Sequence, residues 1–208
     1  MGKLTIYNID DNTLSQVEEP DSSISYTYAD YMKWKFEEQL ELIRGRIFKM
    51  SPAPAPVHQK ICLAIGSIFY RKLKKSKCQT FPAPFDVRLP IRGRKKDDEI
   101  TTVVQPDICI ICDESKLDSR GCCGAPDLIV EILSPGNSKK EINLKFELYE
   151  EAGVKEYWIV NPAEENIVVF ILNEQGKFSG LKMYAGGDNI ISVAVPGLNI
   201  DVTEIFTN

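Results

Sequence analysis

Two carboxylates stand in apolar runs where a bare strand would not want them. Asp107 lies in Val103-Val-Gln-Pro-Asp-Ile-Cys-Ile-Ile-Cys112, and Glu131 in Pro126-Asp-Leu-Ile-Val-Glu-Ile-Leu-Ser-Pro135. Leu128, Ile129, Val130, Ile132 and Leu133 are apolar on both alternating faces, the pattern of a central strand covered on each side. A carboxylate inside such a strand costs several kcal/mol unless it is paired, protonated or metal-bound. If the two runs are neighbouring strands, both acids can converge on one point. Hard divalent cations such as magnesium take oxygen ligands in that arrangement. A bound cation would offset the burial cost and could lower the pKa of a water enough to make a nucleophile at neutral pH.

Lys145 is the next candidate. It lies between Ile142 and Tyr149 on a partly apolar helix face and could reach back to the strand. Near a scissile phosphate it would stabilise the charge of the transition state. A lysine there could equally lay its stem on apolar surface with its head in water. Asp127 precedes Glu131 by four residues and so faces the same side. It could ligate a metal, but capping the start of the strand is the reading favoured. His58 is the only histidine and opens a helix whose dipole disfavours imidazolium. A neutral imidazole could accept a proton from water or bind a metal; a partly buried histidine bonded to backbone is the alternative. The basic runs Arg71–Lys77 (with Lys74 and Lys75) and Arg92–Lys96 (with Arg92 and Arg94) could meet a phosphate backbone. Such runs are more commonly a solvated face.

These residues need elements to hold them. Residues 1–25 read as a loose polar arm and 26–208 as a single domain. Thr27-Tyr-Ala-Asp30 has capping-box spacing and opens a helix to about Phe36. A hairpin turns at Arg44-Gly45. A helix runs from His58 to about Lys75, and a strand from Phe81 to Leu89. Val103–Cys112 is a strand, then the Glu131 strand follows. Ser138 and Glu141 cap a helix that ends at Gly153. Glu156–Val160 is the next strand, so the order strand, helix, strand predicts a right-handed parallel crossover. Beyond 166, turns at Asn173–Gly176 and Gly186–Asp188 separate short strands. The fold class is α/β: a mixed central β-sheet flanked by helices, with an antiparallel C-terminal end.

Composition sets outer bounds. The 208 residues carry a net charge of −5, which gives no support to a general nucleic-acid binder. No apolar run approaches a membrane span, and the N-terminus lacks signal-peptide features, so the default compartment is cytoplasmic. Six cysteines include a CxxC pair at 109 and 112. Odd spacing in a strand sends those two to opposite faces, so reduced thiols acting as small hydrophobes are favoured over zinc. No Gly-rich phosphate loop, G-x-S-x-G or paired-histidine motif is present.

Three segments in combination resemble the Uma-two family of restriction-endonuclease-like proteins, in the PD-(D/E)XK nuclease superfamily. They are Gln-Pro-Asp107, Ala-Pro-Asp-Leu-Ile-Val-Glu131-Ile-Leu-Ser-Pro, and Lys145-Phe-Glu-Leu-Tyr through Asn-Pro162. Glu41-Leu-Ile-Arg-Gly and Met50-Ser-Pro-Ala-Pro with His58-Gln59 also match, and the resemblance spans about residues 26–200. It implies a restriction-endonuclease-like fold and a magnesium- or manganese-dependent DNA endonuclease. Asp107 would be the acid of the PD motif, Glu131 the acid of (D/E)XK, and Glu41 an additional metal ligand. The motif's lysine is missing, since residue 133 is Leu, and its role passes to Lys145. His58 or a metal-activated water would manage the proton; Asp127, Gln59 and Tyr149 are accessory candidates. A homodimer would suit cleavage of both strands. The rivals are a catalytically silent nucleic-acid- or protein-binding module on the same fold, and a metal-dependent hydrolase of another phosphate substrate.

Overall fold

In the computed structural model, residues 4–8, 13–17, 24–35, 40–49, 55–90, 93, 95–135 and 138–207 are described. The strands, in chain order, are β1 Leu4–Asn8, β2 Thr13–Val17, β3 Trp34–Lys35, β4 Leu40–Ile43, β5 Arg46–Lys49, β6 Gln79–Pro82, β7 Val87–Arg88, β8 Val103–Val104 and β9 Ile108–Ile111. They continue with β10 Leu117–Asp118, β11 Gly121–Cys123, β12 Leu128–Ile132, β13 Glu156–Asn161, β14 Asn166–Leu172, β15 Phe178–Ala185, β16 Asn189–Ile191 and β17 Asn199–Asp201. The helices are α1 Tyr28–Tyr31, α2 Pro56–Leu73, α3 Lys139–Ala152 and α4 Thr203–Phe206.

The Glu131 strand is central, as its two-sided apolar pattern requires. One six-stranded sheet has the order β15-β14-β13-β12-β9-β6. Only β12 and β13 run parallel in it, joined through α3; the other pairs are antiparallel, including the β13-β14-β15 end. Leu128, Val130 and Ile132 face a core built with Ile61, Ile65 and Phe69 of α2. Ile129 faces the opposite core, with Leu148 and Tyr149 of α3. The odd-numbered face of β12 is therefore the α3 face.

A second six-stranded sheet has the order β10-β11-β7-β8-β4-β5. The two sheets are linked by one bent antiparallel ribbon. Its outer half is β6 paired with β9, and its inner half is β7 paired with β8. The bend falls at prolines on both strands. Pro106 splits the expected 103–112 strand, and Pro82, with the cis Ala83–Pro84 bond, ends β6, splitting the expected 81–89 strand. Proline donates no ladder hydrogen bond, so each strand breaks there and resumes in the other sheet. Asp107 thus sits at the crossing, not mid-strand, and its carbonyl accepts a hydrogen bond from the Ala83 amide at 3.0 Å.

Other expectations meet mixed outcomes. The Thr27/Asp30 box forms, but α1 ends at Tyr31 because Trp34–Lys35 pair with Tyr7 and Asn8 of β1. The N-terminal stretch read as a loose arm carries β1 and β2, which form a hairpin. The β4–β5 hairpin turns at Arg44-Gly45, where Gly45 has φ +77° and a Cβ would collide with Ser25. The Ser138/Glu141 capping box and the left-handed Gly153 bound α3 as read. The cysteine reading needs correction at one pair: Cys78 and Cys112, flanking the paired β6 and β9, form a disulfide, while Cys62, Cys109, Cys122 and Cys123 remain thiols. Cys109 and Cys112 do pack on opposite faces. No helix among the described residues is long and apolar enough to cross a membrane.

Candidate active site

Three acids from the two sheets meet at the ribbon's bend. Glu131 projects from β12 toward α3, where Lys145 and Tyr149 lie one helical turn apart. Its Oε1 accepts from Lys145 Nζ at 2.9 Å and from the Tyr149 hydroxyl at 2.5 Å. The same ammonium lies 3.1 Å from Oε1 of Glu41, which comes from β4 of the other sheet. Glu41 Oε1 also accepts the Gln105 amide at 3.0 Å, two residues before Asp107. Asp107 Oδ2 accepts the Ile132 amide at 2.7 Å, so it is tied to the residue beside Glu131. The same Oδ2 lies 3.3 Å from His58 Nε2, in the first turns of α2. Every one of these hydrogen bonds uses a single oxygen of its carboxylate. Asp107 Oδ1, Glu131 Oε2 and Glu41 Oε2 have no hydrogen-bond partner among the described residues.

The electrostatics follow from the count: three acids, one ammonium and one imidazole. Burial pushes the Glu131 carboxyl above the ordinary glutamate range; Lys145 opposes this, and the charges of Asp107 and Glu41 add to it. Burial alone would lower the Lys145 ammonium, but Glu131 and Glu41 outweigh it and the net shift is upward. A raised acid beside a raised base looks contradictory for an ion pair. Sharing one ammonium between two glutamates, with Asp107 close by, resolves it: the lysine stays charged and the acids remain in excess. Tyr149 is pushed well up, by burial first and then by Glu131, so its hydroxyl stays a donor. At His58 the shift runs opposite to the one expected of a helix N-terminus. The hydrogen bond to Asp107 raises its pKa, burial opposes, and the charges of Asp107 and Glu131 raise it further.

The remaining sequence candidates lie elsewhere or do other work. Asp127 is 3 % exposed, and its carboxylate is consumed by the Cys112 amide at 2.7 Å and Lys155 Nζ at 2.6 Å. Four residues of extended chain put it roughly 13 Å from Glu131, too far to share an ion. Gln59 is exposed on α2 next to His58. Lys74 and Lys75 are exposed at the far end of α2. Arg92 and Arg94 lie outside the described residues. Sequence reasoning missed Gln105, whose backbone amide orients Glu41 and whose side chain donates to Asp86 at 2.9 Å. Its place between Val104 and Pro106 was the available signal.

The donors are all carboxylate oxygens, carry surplus negative charge, and leave one oxygen each without a partner among the described residues. That set suits a hard divalent cation. The side chains do not form a ready-made cage: among the described residues no three His, Cys, Asp or Glu groups already stand in metal-holding geometry.

Comparison with known proteins agrees with this architecture. The chain is 23% identical over 180 residues to the uncharacterized protein slr1290 of Synechocystis sp., covering 85% of this chain and 89% of that one. Its fold is similar to a crystal structure from Anabaena variabilis described as "a putative nuclease belonging to DUF820", with a TM-score of 0.68 and 19% identity, over 88% of this chain and 98% of that chain. Residues 28–203 match the profile of the family Uma2, described as "Putative restriction endonuclease", and the chain belongs to that family.

Proposed function

We infer that this protein is a divalent-metal-dependent endonuclease that hydrolyses phosphodiester bonds of DNA at the cluster around Glu131. The observation that carries this reading is the position of Lys145. Residue 133 is Leu, yet an ammonium stands 2.9 Å from Glu131, supplied by α3 instead of the strand. Acid and lysine are thus paired although the linear motif is broken.

Asp107, Glu131 and Glu41 are the residues that would hold Mg2+ or Mn2+. When bound, such an ion polarises a phosphoryl oxygen and acidifies a water. The chain's own groups do the rest. Lys145 offers positive charge where a phosphorane would gather negative charge. Tyr149 holds Glu131 in one orientation. His58, buried against Asp107, fixes that carboxylate by donating from Nε2, and the proton it holds there is the one it can hand on when Asp107 turns away to a ligand. The partner is DNA, and two copies of the chain would suit cleavage of both strands.

Nicking of supercoiled plasmid tests this. The wild type is expected to nick in magnesium or manganese and not in EDTA, and both Asp107→Ala and Glu131→Gln to lose at least about a hundredfold in rate. Equal nicking by wild type and variants, or none by the wild type with either ion, overturns the reading.

A further inference from the structure

The helix that delivers His58 has an unusual charge. Between residues 51 and 85 there is no acid, while Lys60, Arg71, Lys72, Lys74, Lys75 and Lys77 are all basic. The whole chain, by contrast, has 30 acids against 25 Lys and Arg. The inner face of α2 is spoken for: Ile61, Ile65, Ile68, Phe69 and Leu73 are buried in the first core. The outer face is exposed at Lys60, Leu63, Ser67, Tyr70, Arg71 and Lys74, spaced by threes and fours along one side. Lys60, Lys74 and Lys75 have no ion-pair partner among the described residues. Arg71 pairs only with the exposed Glu204, at 3.2 Å.

We propose that the outer face of α2 is a track for the phosphate backbone of duplex DNA, running from the acid cluster at its N-terminal end to Lys74 and Lys75 beyond its C-terminal end. The inference rests on the nuclease reading, since it names where that substrate lies. Sixteen residues from His58 to Lys74 span roughly 24 Å at about 1.5 Å per residue. That is the length of about seven base pairs at about 3.4 Å each. Positive charge without acids complements phosphate, in a molecule whose overall charge repels it. Leu63 and Tyr70 do not make α2 a membrane-lying helix. Such a helix sinks a continuous apolar face into lipid, and the apolar face of α2 is already in the core.

Fluorescence anisotropy with a labelled 20-base-pair duplex in EDTA tests this on the full-length chain. Lys60→Gln/Lys74→Gln is compared with Lys177→Gln/Lys182→Gln, which removes equal charge from exposed positions at and beside β15, the opposite edge of the sheet from β6. The α2 pair is expected to weaken binding about tenfold at 100 mM KCl, and to lower the slope of log Kd against log salt by about 1.8, or about 0.9 per lost contact. The β15 pair should change neither by more than about twofold. Equal effects of the two pairs overturn the track; if the wild type still nicks DNA, the nuclease reading survives alone. Binding to anionic phospholipid vesicles that is lost in the α2 pair, with duplex binding intact, also overturns it. A wild type that binds no duplex overturns the track, and one that also nicks no plasmid overturns both.

Discussion

Asp127 and Glu131 illustrate how little a carboxylate's type says without its partners. Their spacing of four residues would put both on one face of an extended chain. Asp127 meets a backbone amide and a lysine whose side chain is 60% exposed, and both its oxygens are engaged. Glu131 meets an ammonium shared with Glu41, and its second oxygen is unclaimed among the described residues. Asp127 is therefore structural: it closes the start of β12 by holding the end of β9 through Cys112. Asp127→Asn should lower unfolding free energy by about 2 kcal/mol, the cost of weakening hydrogen bonds to an ionised group, and leave the nicking rate of the folded protein within about twofold. Urea denaturation and a plasmid assay on the same sample check this. A stable but inactive variant would put Asp127 back among the ligand candidates.

At the level of elements, what could be read from sequence was what is locally determined. The Ser138/Glu141 box, the Gly153 stop, the Arg44-Gly45 turn and the turns at Asn173–Gly176 and Gly186–Asp188 each depend on a few adjacent residues, and each stands where the spacing puts it. Asp107 and Glu131 were legible as acids in apolar surroundings, and Lys145 as a residue able to reach back to the Glu131 strand. The split of two strands between two sheets was not legible. A proline in an apolar run reads as an edge or a ragged start, and only the partner strand decides that the chain crosses to another sheet. Glu41 stands out for the same reason only through family resemblance: β4 is more than sixty residues from Asp107 and lies in the other sheet. The pairing of β1 with β3 likewise joins segments that share no local signal. One element-level prediction concerns Gly66, inside α2. A Cβ there would meet nothing within 4 Å, so no internal contact demands glycine. Gly66→Ala should stabilise the protein by about 0.5–1 kcal/mol, read as a higher urea midpoint with an unchanged slope. Destabilisation would mean that the helix is not regular at that turn.

On the scale of the whole molecule, the acid cluster is also the joint between two sheets, and its charge balance couples their docking to pH. Glu131 holds its proton more tightly when folded than when unfolded, and so does His58. Over the neutral range the native state therefore binds more protons, and stability falls as pH rises. Glu131 acts from the ordinary glutamate range upward, and His58 acts from about 6.5 through its raised folded value. Groups whose pKa is lowered, such as Asp118, Glu150 and Asp188, act in the opposite sense but at more acid pH. In EDTA, unfolding free energy should decline between pH 5 and 8, roughly, and Glu131→Gln should flatten part of that decline. A profile rising across this range in both proteins would contradict the assigned directions. The joint also orders events in time. Glu41 and Asp107 are translated well before Lys145 and Tyr149, Glu131 shortly before them, and the strand that seals β12 from the far side, β13, comes later still. A chain still emerging from the ribosome holds its acids without the ammonium that draws two of them together. The cluster of acids, ammonium and hydroxyl is therefore complete only once synthesis has passed α3.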